Sequence, residues 1–133
     1  MITLREALEY FIVASLMSIW AGEGYAAYQQ CSAFLPQEMF ANKQLRWVYG
    51  IICEMYETGW ECTTESDIVE YICDNGKAPA EKVGTIAEFL IEVYLQFCNM
   101  TRPVTGVKWT VSEAVDGLLK EYDYEQGMSE RTI

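Results

Sequence analysis

The sequence predicts an all-α fold, a compact bundle of five to seven helices with a C-terminal helical hairpin. Apolar residues recur at helical spacing in successive stretches of the chain. Capping residues, glycines and prolines punctuate those stretches. No run alternates apolar and polar residues at the strand period, and no hairpin signal joins β-rich runs. The 133 residues, 51% of them apolar, are enough to build one core and no second domain.

A first helix is expected over 4–20, where Leu4, Leu8, Phe11, Ile12, Leu16 and Ile19 keep helical register. Thr3-Leu-Arg-Glu6 has the form of a capping box, a Thr oxygen taking one orphan N–H and a Glu carboxylate reaching back to the cap. Gly22 and Gly24 break that helix, and a short one is expected over 25–33. Pro36 fits the first turn of a brief helix carrying Met39 and Phe40. Asn42 is a good N-cap for a helix over 43–58, with Leu45, Val48, Tyr49, Ile52, Met55 and Tyr56 on one face and Gly59 at its C′ position. Thr63 and Thr64 offer the next cap, Ile68, Tyr71 and Ile72 the next stripe, and Asn75-Gly76 the stop. After a connector over 77–83 comes a strong helix at 85–100, with Ile86, Phe89, Leu90, Val93 and Phe97 facing inward. A loop over 101–108 precedes a second capping box, Thr110-Val-Ser-Glu113, and a last helix over 111–122. The domain is taken as 1–124, with 125–133 a polar, frayed tail.

Charge and composition narrow the function. Twenty acids against nine bases give a net charge of −11, which opposes direct contact with nucleic-acid phosphates. With no His in the chain, His-based acid–base catalysis, Ser–His and Cys–His pairs and His-ligated zinc are excluded. No phosphate-binding GxxxxGK[ST] loop occurs. The five cysteines (Cys31, Cys53, Cys62, Cys73 and Cys98) are odd in number and form no CxxC, which reads as free thiols in a reducing cytosol. The apolar stretch at 8–21 contains Glu9, lacks a basic leader and is too short to span a bilayer, so it reads as a core helix of a cytoplasmic protein with no membrane partner. No enzyme activity, cofactor or metal is expected.

Two features point outward. The segment 47–76 holds Glu54, Glu57, Glu61, Glu65, Asp67, Glu70 and Asp74 without one Lys or Arg. It reads first as a solvated face and second as an acidic docking face for a basic partner. The aromatics Tyr25, Tyr28, Trp47, Trp60, Trp109, Tyr122 and Tyr124 do not all fall on the inward stripes, which favours an interface in a self-associating or partner-binding module.

The order of these motifs resembles the N-terminal domain of DnaB-type replicative DNA helicases. Glu9 precedes Ala14-Ser-Leu-Met17, Leu35-Pro-Gln-Glu-Met-Phe40 precedes Arg46-Trp-Val-Tyr49, and Met55-Tyr-Glu-Thr-Gly59 leads to Thr63-Thr-Glu-Ser-Asp67-Ile. Val83-Gly84-Thr85 then leads to Phe89-Leu90, so the likeness covers about 4–97. The chain departs from the family pattern at Thr63 and Thr85 and around Asn99 to Pro103, and it carries no RecA-like motor. The resemblance implies a non-catalytic module that dimerises through its helical hairpin, builds the collar of a hexamer and contacts primase. The hairpin would then lie at 85–122, with Phe89, Val93 and Phe97, or Trp109, Leu118 and Leu119, facing a partner. The expected function is an interaction and oligomerisation module of a DNA-replication helicase, partnered by itself and by primase or helicase. The alternative is a small acidic stand-alone regulator or nucleic-acid mimic that binds a basic protein.

Overall fold

The computed structural model describes residues 3–17, 24–60, 63–101, 106 and 108–131. Among them are six α-helices and two 3-10 turns, and no strand: α1 (Leu4–Leu16), α2 (Gly24–Phe34), α3 (Lys43–Glu57), α4 (Glu65–Asp74), α5 (Val83–Met100) and α6 (Val111–Arg131), with the turns at Gln37–Met39 and Ala80–Lys82. The all-α bundle is therefore what the chain forms.

α1 is the axis of the bundle. Every residue from Leu8 to Ala14 is buried, as are Leu16 and Met17, so this helix is enclosed on all sides rather than amphipathic. α2, α3, α5 and α6 all pack directly against it, and α4 closes the layer by resting on α3 and α5. The last two helices meet on α1 rather than along each other, with Phe97 of α5 and Trp109 ahead of α6 both 5.5 Å from the Phe11 ring.

The helix starts follow local chemistry. Thr3, Asn42, Thr64 and Thr110 each accept a hydrogen bond from the backbone N–H three residues on. At Thr64 the box is reciprocal, because the Asp67 carboxylate accepts from the Thr64 N–H at 3.1 Å. Gly59 ends α3 with φ +103, a left-handed value that penalises any residue with a Cβ.

Several bounds differ from the sequence reading: α1 closes at Leu16 with Met17 as its C-cap, and the ends of α2 and α3 shift by one residue. α5 begins at Val83 rather than Thr85, because the Ala80–Lys82 turn feeds straight into it. α6 runs past Tyr122 to Arg131. Its extension is tied to α1: the Arg5 guanidinium donates to the Glu125 carboxylate and lies 5.9 Å from the centre of the Tyr122 ring. The expected continuation of the first helix over 18–20 lies outside the described residues.

The segment between α2 and α3 is pinned by long-range side chains. Tyr49 donates to the Leu35 carbonyl at 2.6 Å and stacks on Phe40 with ring centres 4.5 Å apart. Arg46 donates twice to the Phe40 carbonyl, at 2.9 and 2.8 Å. Glu9, fully buried, accepts from Ala41 N–H at 3.2 Å and Asn42 N–H at 3.0 Å, and its partner Arg5 donates to the Met39 carbonyl at 2.7 Å. A buried anion at the N-terminus of α3 meets the positive end of that helix's dipole. Gly50 leaves room for the end of the exposed Gln37 side chain, which would have to swing aside for a Cβ 2.4 Å from its Nε2. Glu9, Leu35, Phe40, Arg46 and Tyr49 thus form one contact set that locks α1, the turn and α3 together.

Candidate interaction surface

α5 is apolar on more sides than one neighbour can cover. Leu90 and Val93 are fully buried against α1 and α4, while Ile86, Phe89 and Phe97 are half-buried. One turn apart on the outward side, Ile91 and Leu95 are 44% and 49% exposed. They form a two-residue ridge. Ala87, Tyr94 and Cys98 border it on one flank, half-buried. Glu88 and Glu92 border it on the other, both exposed, and Glu92 accepts from Gln96 Nε2 at 2.9 Å. No Lys or Arg occurs anywhere in α5.

The Tyr10 phenol is pushed up by burial and then by the carboxylates of Glu92, Glu6 and Glu9, which places acids of α1 and α5 around the same ring.

The expected partner-facing residues separate into three groups. Val93 and Leu118 are 0% exposed and belong to the chain's own core, so the expectation that they face a partner is corrected: each already fills the interior of one protomer. Phe97 and Trp109 are half-buried on Phe11, where they seal the meeting of α5 and α6 with α1. Phe89 lines an apolar groove of about 240 Å³ with Trp47, Val48 and Ile86, and Leu119 lines a separate groove with Phe34, Val115 and Gln30. These residues do not converge on one surface. Ile91 and Leu95 were passed over because periodicity alone assigned the inward face of α5. The signal was the surplus of apolar residues left once that face was filled.

The acidic run is likewise divided. Glu54 is engaged: Lys77 Nζ lies 2.7 Å away and Tyr71 donates to it at 2.7 Å, which holds its carboxyl below the ordinary range. Asp67 caps α4. Glu65 is partly covered in the first turn of α4, and Glu57, Glu70 and Asp74 are exposed; Glu61 lies outside the described residues. Among the described residues no group of three acids or cysteines is placed to hold a metal ion, and no helix is long and apolar enough to cross a membrane.

Buried titratable groups have structural surroundings. Burial pushes the Cys31 thiol up to about 12 and the Cys53 thiol up to about 11. Burial also raises Glu9, against the pull of the Asn42 and Ala41 amides and Arg5. An unreactive thiol and a carboxylate used up by backbone amides are parts of a scaffold.

No protein-family model, no curated protein and no solved structure matches this chain.

Proposed function

We propose that the chain is a non-catalytic protein-interaction and assembly module, and that the outer face of α5 is its contact surface. The observation that carries this reading is the Ile91–Leu95 ridge. Two large aliphatic side chains stand nearly half exposed, one turn apart on the same helix face. Exposed apolar residues gathered on one helix face, with charged groups at the rim, have the anatomy of a protein contact. The titratable groups with shifted protonation support the same reading, since Glu9 and Glu54 are spent on holding helices in place.

A more specific form of the proposal places the module in DNA replication, in contact with a primase or replicative helicase. Its support is the motif order from Glu9 to Leu90. The test is affinity capture with the wild-type chain and with Ile91→Gln/Leu95→Gln as baits, run beside sedimentation of each chain alone. Neutral glutamines keep helix propensity and leave the net charge unchanged. The proposal expects an assembly, or a captured primase or helicase, that the double substitution removes while the helical content and melting temperature stay intact. An association indifferent to the double substitution refutes the surface, and capture of unrelated proteins alone refutes the replication form.

A further inference from the structure

The ridge on α5 has an asymmetry that bears on its occupant. Along one flank run Glu88 and Glu92, one turn apart and exposed, and no base lies on the helix to offset them. Apolar residues decide that something can bind there, and the charged rim decides what.

A second copy of the chain fits this rim poorly. In a two-fold, antiparallel pairing of α5 with α5, like flanks meet, so Glu88 and Glu92 face their own copies. In a parallel pairing they face the flank of Ala87, Tyr94 and Cys98, which offers no positive charge. Either way the glutamates are desolvated without a counter-ion, and each protomer brings a net charge of −11 to the encounter.

We infer that the outer face of α5 docks an amphipathic helix of another protein, one with an aliphatic stripe bordered by Lys or Arg. The aliphatic stripe covers Ile91 and Leu95, the basic border pairs with Glu88 and Glu92, and the acidic chain steers the encounter. This rests on the proposal that α5 is the contact surface and adds the class of partner.

The probes are two synthetic helical peptides matched to α5 in length, with the same Leu and Ile stripe. One carries Lys along the border and the other carries Glu. Binding is read by fluorescence anisotropy of the labelled peptide at low and at raised salt. The inference expects the Lys-bordered peptide to bind at least about tenfold tighter than the Glu-bordered one, and to weaken as salt rises. Ile91→Gln/Leu95→Gln abolishes the binding. Glu88→Lys/Glu92→Lys weakens it by roughly fivefold to tenfold, whereas Glu57→Lys/Glu70→Lys, an equal charge change at exposed sites on α3 and α4, changes it much less. Equal loss from the two charge reversals overturns the inference, since it marks general attraction to an acidic chain. Equal binding of both peptides overturns it as well. A chain that sediments as a dimer, falls apart in Ile91→Gln/Leu95→Gln and ignores both peptides overturns the partner class while leaving the contact surface standing. No association of any kind through Ile91 and Leu95 overturns both.

Discussion

Glu9→Gln removes a buried charge while keeping the size of the side chain. In the folded chain the carboxylate has no exposure and accepts from two backbone N–H groups, Ala41 at 3.2 Å and Asn42 at 3.0 Å, with Arg5 Nε 3.4 Å away. The glutamine retains one acceptor oxygen, so one of the two amides meets an NH₂ group instead. A hydrogen bond to a charged acceptor is worth about 1.5–3 kcal/mol, and stripping one member from a buried ion pair costs about 3–5 kcal/mol. Arg5 keeps Glu125 and the Met39 carbonyl as partners, and burial already works against the charge itself, so the expected loss is that of one hydrogen bond at a buried acceptor, about 1.5 kcal/mol. For a chain of this length that is a fall of roughly 5 °C in melting temperature. Urea unfolding followed by circular dichroism measures it, with an unchanged m-value showing that only stability has moved. A loss below about 1 kcal/mol would refute the view that Glu9 fastens α1 to the start of α3. The pH dependence gives a second reading of the same group. Burial raises the folded-state pKa of Glu9 above its ordinary 4.5, so the folded chain takes up this proton before the unfolded chain does. Between the raised value and 4.5, stability from this group grows as pH falls, and the wild-type advantage over Glu9→Gln should widen on acidification through that window.

Other expectations follow from the same coordinates. Leu118→Asp buries a carboxylate among apolar neighbours and should unfold the chain or cost several kcal/mol, whereas Ile91→Gln/Leu95→Gln should change stability by less than about 1 kcal/mol in the same urea experiment. Gly59→Ala should cost about 1 kcal/mol, because its φ of +103 lies in the left-handed region; no loss would place the end of α3 differently. Alkylation at mildly alkaline pH should label exposed Cys73 first and buried Cys31, whose thiol is pushed up to about 12, last; mass spectrometry of timed samples reads the order, and early labelling of Cys31 would contradict its burial.

Short-range chemistry was the part of the fold readable from the sequence. Thr3, Asn42, Thr64 and Thr110 act on an N–H three residues away, so the cap and its target sit together in the text of the chain. Gly59 marks its own stop for the same reason. Long-range pairs stayed hidden. Glu9 meets amides 32 and 33 residues later, and nothing around Glu9 announces Ala41 or Asn42. α6 runs on to Arg131 through polar sequence, and Arg5 donates to its Glu125 from 120 residues away. Candidate contact residues were harder still. α5 carries apolar side chains around most of its circumference, and periodicity separates a covered side from a bare one only when one side is polar. Val93 and Ile91 look alike in sequence, yet one is 0% and the other 44% exposed. Leu118 and Leu119 are adjacent, and one fills the core while the other lines a groove. The acids from Glu54 to Asp74 form one block in sequence, but Lys77 and Tyr71 engage Glu54 from beyond its own helix, while Asp67 is used in the cap of α4.

Hydrogen exchange of the chain, alone and saturated with the Lys-bordered peptide, tests most directly whether α5 is the contact surface. The account predicts that the added protection concentrates on the outward positions of α5 between Gly84 and Asn99, with the core amides of α1 unchanged. Protection centred instead on the α2–α6 groove around Phe34 and Leu119, or on the exposed acids of α3 and α4, would contradict it.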